Sequence, residues 1–226
     1  MRIRWFGQSA FLLSGEQVVA IDPFGDMSGL AARGIEWPYP PIGPLEADLL
    51  LVTHEHGDHN AVEVVAGEPH TLRSRAGTFA DTPVGEVVAV AGEHDRVAGT
   101  QRGPMAMYRF TLDGLRVCHL GDFGQAALRP EQKEALGEVD VLLLPVGGGP
   151  TVGGEEAAQV VRELAPRLVV PHHYRSGELT FLEPPDAFLD ALGAEVVRLA
   201  ESEAEVEPLL GTREQPRVAL FAAPVR

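Results

Sequence analysis

The sequence predicts an α/β sandwich with helices covering the sheet faces, and three observations carry that expectation. Apolar runs of strand length recur along the whole chain, many of them continuous rather than alternating, as in strands buried on both faces. The first half is rich in such runs and in tight turns such as LSGEQ and LDGL. In the second half the runs alternate with segments that carry helix start and stop signals.

Taken in order, IRWF and AFLL open the chain, with Gly7, Gln8 and Ser9 between them, and VVAID follows. The piece from Gly25 to Leu45 is rich in glycine and proline, and an irregular stretch of that length is functional or disordered. LLLVT is a strong strand, and Asn60–Val65 after it reads as a short helix. EVVAVA, AMYRFTL and LRVCHL are the next strands. Pro130–Gly137 begins with a proline, which suits a first helical turn. After VDVLLLPV, Glu155–Leu164 opens with two acids, favourable at a helix N-terminus, and closes before Pro166. RLVVPHH is a strand, and Pro184–Leu192 is a helix that ends at Gly193. EVVRLA and RVALFAA close a chain expected to form a single domain over residues 1–226.

Composition narrows the function classes. The chain has 226 residues, 45% of them hydrophobic, with no low-complexity segment. No apolar run approaches the roughly 20 residues that span a bilayer. MRIRWFGQSAFLL reads as a first strand rather than a signal peptide, so a cytoplasmic location is expected. The net charge of −15 argues against broad contact with a nucleic-acid backbone. One cysteine, Cys118, excludes an internal disulfide and a thiolate-rich zinc site.

The chemistry starts in LLLVTHEHGDHN, residues 49–60. In extended backbone His54 and His56 point the same way, because side chains alternate. Gly57 allows a change of direction, after which Asp58 and His59 start a helix. Two imidazoles and an Asp-His pair thus converge beyond a strand end, and these groups are preferred ligands of zinc and its neighbours. Glu55 fills the spacing and is expected to face solvent.

HEHGDH resembles the HxHxDH signature of the metallo-β-lactamase superfamily, an αββα sandwich that binds one or two metals at one edge. That resemblance implies further ligands at later strand ends. EVVAVAGEHD offers His94, LRVCHLGDF offers Asp122 in a Gly-Asp pair, and RLVVPHHY offers His172 and His173. The last motif and Asp22-Pro23-Phe24 are similar to a branch of metal-dependent hydrolases that includes ascorbate-6-phosphate lactonase-like proteins, which selects His173 as the ligand. By resemblance, His54, His56 and His94 hold one metal, Asp58, His59 and His173 a second, and Asp122 bridges them. His70 and His119 compete for the place of His94, and both read as structural.

Two divalent ions, zinc first with manganese or iron as alternatives, would generate hydroxide near neutral pH for attack on a carbonyl or phosphoryl centre, with Asp58 orienting it. His172 and Tyr174 flank a ligand and carry exchangeable protons. PVGGGPTVGGEEA is a glycine-rich loop before a helix, so Thr151 and its neighbours are candidates for substrate or anion contact. Trp37 and Tyr39, on a proline-stiffened loop, either wall a pocket or cover a sheet edge or subunit contact.

The leading expectation is a metal-dependent hydrolase of a small ester, lactone, amide or phosphoester, with a small-molecule partner and possible oligomerisation. The alternatives are a nuclease or phosphodiesterase with the same signature, and a metal-binding protein without turnover.

Overall fold

The computed structural model describes residues 1–177 and 179–224. Two large sheets lie on one shared hydrophobic core. The first has six strands in the order Glu203–Glu205, Arg2–Gly7, Ala10–Ser14, Val18–Ile21, Leu49–Val52 and His70–Arg73. The second has eight, in the order Glu195–Arg198, Arg217–Leu220, Leu168–His172, Val141–Pro145, Leu115–His119, Pro104–Leu112, Gly85–Glu93 and Gly77–Thr82. Tyr108 of the second sheet donates its hydroxyl to the Val52 carbonyl of the first at 2.9 Å, so a polar bond as well as apolar contact ties the sheets.

The continuous apolar runs become the central strands. Leu49–Val52, Val141–Pro145 and Leu168–His172 are buried at every position. Each buried Leu or Val side chain stabilises the fold by about 1.5–3 kcal/mol before entropy is charged against it. Helix Gly154–Leu164 packs on strand Val141–Pro145 and on helix Asp186–Leu192, while Pro130–Leu136 packs against Gly85–Glu93. Ala157, Ala158, Val160, Val161 and Leu164 form the buried face of the longest helix.

In the first half the helical pieces are 3-10 turns, at Ser28–Arg33 and Val62–Val64. The first lies inside the stretch expected to be irregular. The second is all that forms of the expected helix Asn60–Val65, and residues 57–59 make a turn closed by His59 N–H on the His56 carbonyl at 2.9 Å. Gly57 does not adopt a left-handed conformation there, and a Cβ at that position would meet nothing within 4 Å. The turn therefore draws its shape from hydrogen bonding and not from a glycine requirement.

Strand direction places the site. Val18–Ile21, Leu49–Val52 and His70–Arg73 run parallel, as do Leu115–His119, Val141–Pro145 and Leu168–His172. Gly85–Glu93 pairs antiparallel with Pro104–Leu112, which pairs antiparallel with Leu115–His119, so it points the same way as the latter. Pro104–Leu112 apart, the carboxyl ends of these strands in each sheet lie at one edge, where ligand sites of open α/β sheets form.

Candidate metal centre

Every predicted ligand follows one of those strand ends. His54 and His56 lie beyond Leu49–Val52, His94 beyond Gly85–Glu93, Asp122 beyond Leu115–His119, and His173 beyond Leu168–His172. Three sets of donor atoms each lie within 4.8 Å of one another: His54, His56 and His94; His54, His59 and Asp122; Asp58, His59 and His173. The residues that sequence spacing scattered over 120 positions are thus one cluster. Of the eight histidines, five belong to it, His119 and His172 are buried outside the three sets, and His70 is exposed.

Asp122 is at its centre. One oxygen, Oδ2, lies 3.3 Å from His59 Nε2, 3.1 Å from His94 Nε2 and 3.2 Å from His173 Nε2. Gly121, at φ +52°, lets the chain turn there, and a Cβ on it would strike Thr53 at 2.8 Å. On the other side His54 Nε2 is 2.9 Å from His56 Nδ1.

The rear nitrogens of the imidazoles are already committed. His59 Nδ1 donates to Asp22 Oδ2 at 3.0 Å, and His94 Nδ1 donates to the Pro150 carbonyl at 3.1 Å. The Thr53 hydroxyl gives its one proton to Asp22 at 2.7 Å, so at 3.0 Å it accepts from His54 Nδ1. With Nδ1 carrying the N–H, Nε2 of His54 and His94 offers a lone pair to one small volume, and Nε2 of His59 does so once a cation displaces the second proton that the neighbouring carboxylates stabilise on it. His59 Nε2 is buried without a hydrogen-bond partner. Facing lone pairs and a carboxylate repel unless a cation lies among them, and an imidazole–carboxylate donor set is the one a divalent ion takes. The residues present therefore fit the metal.

The electrostatics agree. Burial pulls His54 down to about 2, with the neighbouring His59 adding to it, so His54 stays neutral. Burial also acts against a charged His59, yet Asp122, Asp58 and Asp22 outweigh it and raise its proton affinity well above the ordinary value. Burial works against the Asp122 carboxylate, but His173 and His59 hold its pKa well below the usual range. The three carboxylates thus favour positive charge at His59.

Gln8, Asp22 and His173 adopt left-handed backbone, at φ 46°, 46° and 49°. Such residues cost of order 1 kcal/mol or more each and persist where packing enforces them. Here the Gln8 carbonyl accepts both His173 N–H, at 3.2 Å, and Trp5 Nε1–H, at 2.9 Å.

The structure changes several expectations. Glu55 is exposed but is not a free spacer: it pairs with Arg73 at 2.5 Å, accepts from Ser74 at 2.9 Å and, through its carbonyl, from Asn60 at 3.1 Å. Thr151 is buried and donates to the Gly148 carbonyl at 3.2 Å. At the helix N-terminus beside it, Glu156 already accepts from Gly153 N–H at 2.9 Å. Trp37 and Tyr39 form an aromatic cluster with Phe24 and Trp5, and Tyr174 packs on Trp5 at 5.5 Å. Burial pushes the Tyr39 phenol up to about 12, and that of Tyr174 up as well, so neither sheds a proton readily. His172 has no exposed surface and packs edge-on against Phe11 and His119. All five sit in packed surroundings rather than on an open pocket wall.

Sequence reasoning missed the residues behind the ligands. Asp22 was visible in a family-like triplet and Thr53 within the quoted stretch, but neither carries a signal for what it touches. Ser9, which donates to Asp122 Oδ1 at 2.9 Å, gave none. His119 was read as structural, and it bonds the Ser9 carbonyl at 3.1 Å.

Residues 2–173 match the family described as beta-lactamase superfamily domain. The chain belongs to the metallo-β-lactamase superfamily. Within it, a UPF0173 metal-dependent hydrolase of Thermococcus kodakarensis is 33% identical over 90% of this chain and 98% of the relative. Another of that name from Archaeoglobus fulgidus is 31% identical over 82% of this chain and 88% of its own. The chain is thus a member of the UPF0173 metal-dependent hydrolases. A solved structure from Thermotoga maritima, assigned to the zinc-dependent hydrolases of the superfamily, superposes with a TM-score of 0.75. It is 29% identical, over 97% of this chain and 98% of that one. A metallo hydrolase from Ignicoccus hospitalis shares the superfamily fold at a TM-score of 0.63 and 20% identity, over 100% of this chain and 96% of its own.

Proposed function

We propose that this metal-dependent hydrolase cleaves a small ester, lactone, amide or phosphoester at a two-metal centre, and that the ions are zinc. The observation that carries the reading is the convergence of three imidazole Nε2 atoms, from His94, His173 and His59, on a single Asp122 oxygen, at 3.1, 3.2 and 3.3 Å. His54, His56 and His94 would hold one ion, and Asp58, His59 and His173 the other, with Asp122 between them. The donor types suit zinc, and the Thermotoga relative supports that choice. When bound, the ions supply Lewis acidity and acidify water near neutral pH.

The chain's own residues do the rest. His54, His59, His94 and His173 are at most 3% exposed, so they close the sides of the centre and exclude bulk water. His56 is half-buried and the Asp58 side chain is 26% exposed, so substrate enters over these two. Asp58 accepts a hydrogen bond from the attacking water and orients it. Asp122, fixed as a carboxylate, keeps the opposing imidazoles in register.

Elemental analysis tests the assignment. The parent should carry about two ions per chain, and His59→Ala and Asp122→Ala should each carry fewer. Unchanged content in both variants would sink it. Activity is sought by screening the zinc-loaded chain on lactones, carboxyl esters, thioesters and phosphodiesters. Failure on every class at full occupancy would leave a metal-binding protein without turnover.

A further inference from the structure

We infer that Ser9 is a positioning residue: together with buried His172 it holds one oxygen of Asp122 away from the centre, so that Asp122 presents a single oxygen to the metals. The inference rests on the two-metal reading above.

Hydrogen-bond direction carries it. The Ser9 hydroxyl lies 2.9 Å from Asp122 Oδ1 and 3.2 Å from His172 Nδ1. It has one proton, and a carboxylate can only accept, so that proton points at Asp122. The remaining Ser9 lone pairs then face His172 Nδ1, which must carry an N–H. This holds whether or not the ring is charged. The chain of bonds is therefore directed, from His172 Nδ1–H to Ser9 Oγ and from Ser9 O–H to Asp122 Oδ1.

A second histidine fixes Ser9 from behind. His119 Nδ1 accepts Gly121 N–H at 3.1 Å, which leaves its own proton on Nε2. Nε2 in turn donates to the Ser9 carbonyl at 3.1 Å. Ser9, His119 and His172 have no exposed surface, so no bulk water competes for these bonds. With Oδ1 engaged, Oδ2 alone faces His59, His94 and His173. Without the Ser9 donor the carboxyl group could rotate and offer both oxygens, which would change the donor set at each ion.

Chelator competition with zinc, supported by cobalt reconstitution, tests this. Ser9→Ala should weaken zinc binding by about 10–100-fold, as removal of such a supporting bond does elsewhere. Its cobalt form should show a shifted visible absorption. Ser9→Thr, which keeps the hydroxyl, should restore both affinity and spectrum. His172→Asn, whose amide N–H can take the place of Nδ1–H, should bind zinc better than His172→Leu. A purely structural role would lower the melting temperature of the metal-free protein and leave the cobalt spectrum alone. Parent-like affinity and spectrum in Ser9→Ala would overturn the inference, and so would an equal loss in Ser9→Thr. A parent chain that takes up only one zinc would overturn the two-metal reading instead, and the Ser9 comparison would still be decided on that one ion.

Discussion

Asp22 accepts from the backbone N–H and the hydroxyl of Thr53, both at 2.7 Å, and from His59 Nδ1 at 3.0 Å, with no exposed surface of its own. One carboxylate thereby sets the tautomer of His59 directly and that of His54 through Thr53. Asp22→Asn replaces an acceptor with a donor, so one of those bonds must be lost. Zinc affinity should fall by about 10–100-fold, and the metal-free protein should lose about 1–3 kcal/mol for the unpaired buried group. Chelator competition and denaturant unfolding measure the two effects. An unchanged affinity would remove Asp22 from the account of the centre.

At the scale of elements, the loop after His94 has its own internal anchor. Asp95 accepts four backbone N–H groups, from Val97, Gly99, Gln101 and Arg102, at 2.8–2.9 Å. Burial alone would raise its pKa, but these four bonds outweigh it and hold the carboxyl at about 2, against an ordinary 3.8. A depressed folded-state pKa means that the stabilisation is complete above pH 4 and fades as pH falls toward 2. Amide exchange at Val97, Gly99, Gln101 and Arg102, corrected for intrinsic rates, should therefore quicken as pH drops across that window. Asp95→Asn should show the fast rates already at neutral pH. Protection that is flat with pH, or equal in the variant, would contradict the anchor. The strands missed by sequence reading belong to this scale too. His70–Arg73, Gly77–Thr82 and Glu203–Glu205 are mostly exposed and polar, and they exist because a neighbouring strand supplies hydrogen bonds. Local pattern carries no trace of that.

For the molecule as a whole, 33 acidic residues against 18 basic ones leave little to attract a phosphate backbone. The zinc-loaded protein should not retard a single-stranded RNA even at about 50 mM salt. A complex whose affinity falls steeply with added salt would revive the nuclease alternative. Among the described residues no helix is long and apolar enough to cross a membrane. The sequence by itself determined the α/β sandwich, because continuous apolar runs such as LLLVT and VDVLLLPV have no favourable place except between layers. It also supplied the candidate ligands, the first four from their types and spacing in THEHGDHN, and His94, Asp122 and His173 through the resemblance of later strand ends to superfamily motifs. Only the tertiary structure decided the hydrogen-bond partners of those ligands. Ser9 and Asp122 are 113 residues apart and Asp22 and His59 are 37, and such pairs meet through strand direction and sheet packing rather than through spacing. It also placed Trp37, Tyr39, Thr151, His172 and Tyr174 in packed surroundings, since burial is set by what covers a residue, which no short stretch of sequence records.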